Sequence, residues 1–208
     1  MDHGVNAMVA CLKINRVRQG QRGFTLTELM ITLVIFAILL GIAIPSFEST
    51  IASNRLSTAT NDLLGSLAHA RSEAIRRGQR VTVCISADGA TCAANGGWSQ
   101  GWISFLDTTR GGAIASVDNA NETILGSGAA LPANILIQGN ANAAQFVSFG
   151  SNGQSLSMAG ATQVGTIRVC STSSGLTDDR RARNLVINGA GRVISQTING
   201  IPSTCPAP

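Results

Sequence analysis

From Phe24 to Ile44 the chain reads FTLTELMITLVIFAILLGIAI, an apolar run of 21 residues whose single charge is Glu28. At 1.5 Å of rise per residue, a helix of that length covers roughly 30 Å, the thickness of a bilayer's hydrocarbon core. The pattern therefore predicts a membrane-spanning helix over 24–44. Beyond Pro45, the positions Phe47, Ile51, Leu56, Ala59, Leu63, Leu67, Ala70 and Ala74 recur at steps of three, four and five residues and predict one amphipathic helix face. Arg76, Arg77 and Gly78 close it, because cations favour the negative end of the helix dipole and glycine tolerates left-handed geometry. The expectation is one helix from about Phe24 to Arg77, bent at Pro45, where the ring removes a donor and crowds a carbonyl.

From Gln79 the period changes to two. The runs RVTVCIS, GWISFLD, NILIQ, QFVSFG, QSLSM, GTIRVCS, RNLVIN and RVISQTI alternate or are rich in β-branched residues, and turn residues separate them. They predict an antiparallel sheet domain over 79–208, with hairpin turns at Asn152-Gly153 and Asn188–Gly191, where Asn and Gly accept positive φ. The Gly-, Ala-, Asn- and Ser-rich stretches 108–130 and 139–144 read as loops. The class is α+β: a long N-terminal helix packed on a C-terminal antiparallel sheet domain, with segments 1–23, 24–44, 45–78 and 79–208.

Composition narrows the function. Hydrophobic residues make up 44% and charged residues 12% of the 208, so this is not a charged disordered chain. The sequence pI near 9.1 invites a nucleic-acid reading, but Lys13, Arg16, Arg18 and Arg22 against Asp2 give the first 23 residues +3 of the total +4. The rest is nearly neutral, so any basic surface must come from clustering. The basic flank ahead of the apolar run predicts a cytoplasmic N-terminal side, which puts the downstream chain in the periplasm.

Of five cysteines, Cys11 lies in the basic leader, and Cys84, Cys92, Cys170 and Cys205 lie beyond the span. An even set without C-x-x-C spacing predicts two disulfides in an oxidising compartment rather than a zinc site. Four cysteines allow three pairings. The favoured one joins Cys84 to Cys92 across a turn and Cys170 to Cys205 at the tail, worth ~2.6 and ~3.8 kcal/mol by loop entropy. No metal or cofactor is expected, since His3 and His69 are the only histidines and no Ser-His-Asp or Cys-His arrangement is readable. The chain does not read as an enzyme. Trp98, Trp102 and Phe105 are assigned to sheet packing in preference to stacking on a ligand.

The string Arg22-Gly23-Phe24-Thr25-Leu26-Thr27-Glu28, followed at once by the apolar run, resembles the class III signal of type IV pilins and type II secretion pseudopilins. The resemblance implies removal of the leader 1–23 by a prepilin peptidase between Gly23 and Phe24 and N-methylation of Phe24. It also implies a role for Glu28 in filament assembly. Glycine before the scissile bond lets a peptidase approach the backbone closely, whereas an acid in a span costs about 2.5 to 3.5 kcal/mol and needs a reason to be there. In the related filaments that acid is understood to pair with the amino terminus of a neighbouring subunit. Pro45 matches the place where such helices often bend.

The stretch Leu64–Ala74 and the tail RNLVINGAGRVISQ with Cys205 are similar to GspH-domain proteins, which include the FimT and FimU minor pilins. That resemblance implies a minor pilin near the tip of a type IV pilus, priming assembly. Its expected partners are the prepilin peptidase, other minor and major pilins and the inner membrane, from which it passes to the cell surface. A GspH-type pseudopilin of a type II secretion system is the alternative. Some FimT-like proteins bind DNA through a Gly-Arg-x-Arg motif; here Gly191-Arg192-Val193-Ile194 keeps only the first arginine. Arg180, Arg181, Arg183 and Arg192 are the candidate contacts to double-stranded DNA, held to phosphate without sequence reading. The hairpin register decides their placement, with either Ile187 or Asn188 opposite Arg192.

Overall fold

The computed structural model describes residues 23–109, 115–118 and 121–208, and for 42–46 the backbone alone. Residues 1–22 of the leader and the Pro45 side chain thus lie outside the described residues. One helix, α1 (Leu26–Arg77), precedes eight strands: β1 (Val81–Ile85), β2 (Trp102–Leu106), β3 (Ile124–Gly128), β4 (Ile135–Gly139), β5 (Phe146–Phe149), β6 (Gly165–Ser171), β7 (Ala182–Ile187) and β8 (Val193–Ile198). The chain divides into two units between Gly41 and Ile42. In the first, Leu29, Met30, Ile31, Leu33, Val34, Ile35, Phe36, Ile38 and Leu39 are all exposed. Among the described residues no helix is long and apolar enough to cross a membrane. The described apolar side chains stop at Gly41, short of the ~20 that a span requires.

In the second unit α1 buries Ala52, Leu56, Ala59, Leu63, Leu67, Ala70 and Ala74 in one stripe. The face expected from the sequence is corrected at its start. Phe47 and Ile51 are exposed, and Ala52 takes the buried place. The reason is angular: four residues before Leu56 falls roughly 40° off the stripe and five residues roughly 140°. Alanines along the stripe let the backbone come close to the strands.

Two four-stranded antiparallel sheets receive that stripe, in orders β3-β2-β1-β5 and β4-β6-β7-β8. Val81, Val83, Ile85, Trp98, Trp102, Val147 and Phe149 join it from the first sheet and its flank. Ile135, Ile137, Ile167, Val169, Leu185 and Ile187 join it from the second. Both indoles are buried and spoken for: Trp98 Nε1 donates to Ala143 O at 2.9 Å, and Trp102 Nε1 to Ser66 Oγ at 2.9 Å. With Phe105 also buried, all three aromatics pack the fold.

Two expectations about loops and strands change. The stretch 108–130 contains β3, whose ILGSG sequence hides a strand behind two glycines; Gly128 sits opposite Trp102, where any Cβ would collide with the indole. QSLSM makes only isolated bridges at Ser155 and Leu156. The four described cysteines form two bonds, Cys84–Cys92 and Cys170–Cys205.

Arg71 ties the layers together. Its Nε donates to Gly153 O and its Nη2 to Ala190 O, both at 2.9 Å, so one guanidinium holds the turn after β5 and the turn between β7 and β8 against the helix. Gly153 and Gly191 both have φ of +75°, and a Cβ on Gly191 would strike Gly153 O. Gly160 also has positive φ, +85°, but faces open space. Gly191→Ala should therefore lose about 3 kcal/mol of stability and Gly160→Ala about 1 kcal/mol, since only the first adds a clash to left-handed strain. Urea unfolding midpoints of the two variants check this; equal losses would contradict it.

Candidate functional site

Two regions carry the residues singled out by sequence. At the amino end Gly23 has open space around its Cα and is exposed, and Phe24 is 82% exposed. Thr25 is the N-cap of α1: its Oγ1 accepts from the Glu28 backbone N–H at 3.2 Å. Thr25-x-x-Glu28 has the spacing of a capping box, and the carboxylate stands in the first turn, beside the positive end of the helix dipole. Thr25 was not among the residues expected to act here, although a threonine three residues before a glutamate at the head of an apolar run is the signal of such a cap.

The four arginines near the carboxyl end do not gather. Arg181 is buried; its Nε pairs with Asp178 Oδ1 at 2.9 Å, its Nη1 donates to Ser171 O at 3.1 Å and Ser173 O at 3.2 Å, and its Nη2 donates to Leu176 O. It is thereby withdrawn from the phosphate-binding set, because its donors fold the 171–178 loop. Arg183 is half-buried on the helix side of β7 and reaches Ser57 Oγ at 3.4 Å. Arg180 is exposed and lines a shallow polar groove with Asp179, Ser53 and Asn54.

Arg192 is exposed at the other end of the β7–β8 hairpin. Asn188 N donates to Arg192 O at 3.1 Å, while Ile187 faces Val193, so the turn has the three-residue loop of the two registers open in the sequence. Arg183 faces Thr197, five residues from Arg192, or roughly 17 Å along the strand. The hairpin therefore separates these arginines instead of joining them. Sequence gave no sign of the tertiary role of Arg71, which sits on the polar flank of a helix like any solvated cation.

Among the described residues no group of His, Cys, Asp or Glu is placed to hold a metal ion. A cavity of about 400 Å³ is lined by Arg80 and Asp107, but both are engaged in a buried cluster: Arg80 Nε lies 3.5 Å from Asp107 Oδ2, and Thr82 Oγ1 donates to the same oxygen at 2.6 Å. The exposed His69 offers its carbonyl to Ser72 Oγ.

Residues 59–191, more than half of the chain, match the family described as Type II transport protein GspH. The chain belongs to that family. Residues 18–44 match the prokaryotic N-terminal methylation motif, which gives this GspH-family protein an N-terminal hydrophobic anchor region and a processing signal. The family is one of pilins and pseudopilins, structural subunits and not enzymes. Fimbrial protein EcpC of Eikenella corrodens is 44% identical over 45 residues, which are 22% of this chain and 29% of that protein. The chain thus spans less than a third of that relative's length. Type IV minor pilin FimU of Pseudomonas aeruginosa (strain PAO1) is 24% identical, with a TM-score of 0.48 over 73% of this chain and 91% of that one. The minor pseudopilin EpsH of the Vibrio cholerae Type 2 Secretion System is 16% identical, with a TM-score of 0.42 over 69% and 97%.

Replacing Arg181 by Ala leaves three main-chain acceptors in the 171–176 loop without their donor, and a loss of about 3 kcal/mol is expected. Thermal unfolding of the variant measures it. Arg192→Ala, on an exposed turn, should stay within about 0.5 kcal/mol of the parent.

Proposed function

We propose that this GspH-family protein is a minor subunit of a type IV pilus, held in the inner membrane with its folded unit in the periplasm until it enters the filament near the tip and primes assembly. In this reading a prepilin peptidase cuts between Gly23 and Phe24, and Phe24 becomes the methylated amino terminus. Segment 24–44 forms the span, and Pro45 lets the helix bend at its outer end. The carrying observation is an exposed Gly23-Phe24 bond immediately before a capped helix whose apolar side chains face outward on all sides. Such a surface requires lipid or the helices of other subunits to cover it. A free amino group made by cleavage would compensate the Glu28 carboxylate of the next subunit, and the described apolar run offers no basic side chain of its own.

Assembly into a type II secretion pseudopilus is the second reading, favoured by the description of the matched family as a type II transport protein. The arginines do not favour DNA binding, because Arg181 is buried and Arg180 and Arg192 lie at opposite ends of the hairpin. Two isolated cations supply little of the counterion release on which phosphate binding rests.

Glu28→Leu should be cleaved like the parent, giving a mature chain that begins at Phe24, yet fall at least tenfold in sheared surface filaments. Amino-terminal sequencing of the membrane fraction and immunoblots of the filament fraction read the two effects separately. Equal incorporation would remove the pairing role, and an uncut parent chain would remove the whole reading.

A further inference from the structure

Four Asn-Gly pairs lie in the folded unit, at Asn95, Asn152, Asn188 and Asn199, and their surroundings differ. In such a pair the glycine nitrogen meets the least obstruction on its way to the asparagine side-chain carbon, because no Cβ stands beside it. Folding decides which of the four keeps that freedom. The nitrogen must be clear of other bonds, and the side-chain amide must be able to turn toward it; where either is held, reaction waits on local opening.

Three of the pairs are held. Gly153 N donates to Gly150 O at 2.8 Å, and the Asn152 amide is clamped at both ends, its Nδ2 donating to Gln154 Oε1 at 3.0 Å and its Oδ1 accepting from Gln154 N at 3.1 Å. Asn188 Oδ1 accepts from Arg192 N at 2.9 Å, while its own N–H donates to Arg192 O and its carbonyl accepts from Gly191 N. Asn95 lies in a pinned loop: Ala94 O accepts from Gln145 Nε2, Asn95 O accepts from Gln100 Nε2 at 3.2 Å, and a Cβ on Gly96 would strike the Gln100 side chain. Asn199 has none of these restraints. It follows the last residue of β8, it and Gly200 are both exposed, and Gly200 has φ of +74° with open space around its Cα. Among the described residues nothing bonds the Asn199 side chain or the Gly200 N–H.

We propose that Asn199 is a site of spontaneous modification, at which the folded protein converts its own side-chain amide to a carboxylate. Gly200 N gives its proton to solvent base and bonds to Asn199 Cγ. The bond from Cγ to Nδ2 breaks, ammonia leaves, and a five-membered succinimide closes from Asn199 C, Cα, Cβ and Cγ with Gly200 N. Water is the co-reactant: it adds to one imide carbonyl and breaks that carbon's bond to nitrogen. Opening at Cγ leaves aspartate. Opening at the main-chain carbonyl leaves isoaspartate, whose backbone runs through Cβ and is one bond longer. In sum an amide and water give a carboxyl group and ammonia, with nothing oxidised or reduced. Either product places a negative charge two residues before Ile201, whose N–H donates to Asp178 O at 3.1 Å. The tail beyond stays fastened, by Cys170–Cys205 and by Arg168 Nη1 donating to Pro206 O at 2.8 Å and Ala207 O at 3.2 Å. The subunit thus acquires a charge with age while its tail keeps its attachments. This inference concerns the unit 42–208 and is independent of any role for Glu28.

The test ages the folded full chain, purified in detergent, in mildly alkaline buffer and follows its reduced tryptic peptides by mass spectrometry, with fragment ions locating each change. Cleavage after arginine puts the four pairs in different peptides: 81–110 carries Asn95, 111–168 Asn152, 184–192 Asn188 and 193–208 Asn199. Asn199 should take on the mass difference between a carboxyl and an amide at least tenfold faster than Asn152 and Asn188, and faster than Asn95, because the held sites react only through local opening. Peptide 193–208 should also split into two chromatographic forms, aspartate and isoaspartate. In guanidinium with the disulfides reduced, the four rates should converge, since the bonds that separate them are gone. A folded-chain rate at Asn199 no greater than at any other pair overturns the proposal, as does an unchanged Asn199 in a chain whose unfolded form reacts there.

Discussion

One stripe of side chains on α1 holds the folded unit together. Ala52, Leu56, Ala59, Leu63, Leu67, Ala70 and Ala74 share one buried cluster with residues of both sheets, and each sheet closes its inner face against them. Alanine at four of these seven places keeps the helix axis close enough for strands of both sheets to reach it. The leucines between them fill the volume that alanine leaves. A bulkier stripe would push the two sheets apart; a more polar one would leave Val83, Phe149, Ile167 and Leu185 without a partner layer.

Arg71 acts on the same layer by different physics. Dispersion and burial favour contact but are weakly directional, whereas a guanidinium donating to two carbonyls fixes position. The turn at Gly153 belongs to the first sheet and the turn at Ala190 to the second, so a single side chain on the helix sets how the two sheets meet at that end. Positive φ at Gly153 and Gly191 brings both carbonyl-bearing turns within its reach.

The helix and most strands were legible because periodicity is local and strong there. Period 3.6 announced α1, and alternation announced β1, β2, β4, β5, β6, β7 and β8. The strand β3 was not legible, since Gly126 and Gly128 erase the propensity signal while answering to the Trp102 ring, a tertiary demand. The start of the buried stripe was misplaced for a similar reason. Phe47 and Ile51 are apolar, but hydrophobicity does not say what faces them. The arginines show the same limit more sharply. Arg180, Arg181 and Arg183 are neighbours in sequence, yet one is exposed, one is buried in a loop and one leans on the helix, because strand alternation and loop closure divide adjacent residues among different surroundings. The amino-terminal motif was readable for the opposite reason: it is one contiguous string of residues, so its meaning needs no partner from elsewhere in the fold.

The two disulfides sit on the outer faces of the sheets. Cys84 and Cys170 alternate with the core residues Val83 and Ile85, and Ile167 and Val169, and point away from the helix. Neither bond crosses between layers: Cys84 and Cys170 with Cys205 lie in small clusters of their own, apart from the core around the helix. Each bond thus fastens an outer segment to its own sheet and adds nothing to the contact between helix and sheets.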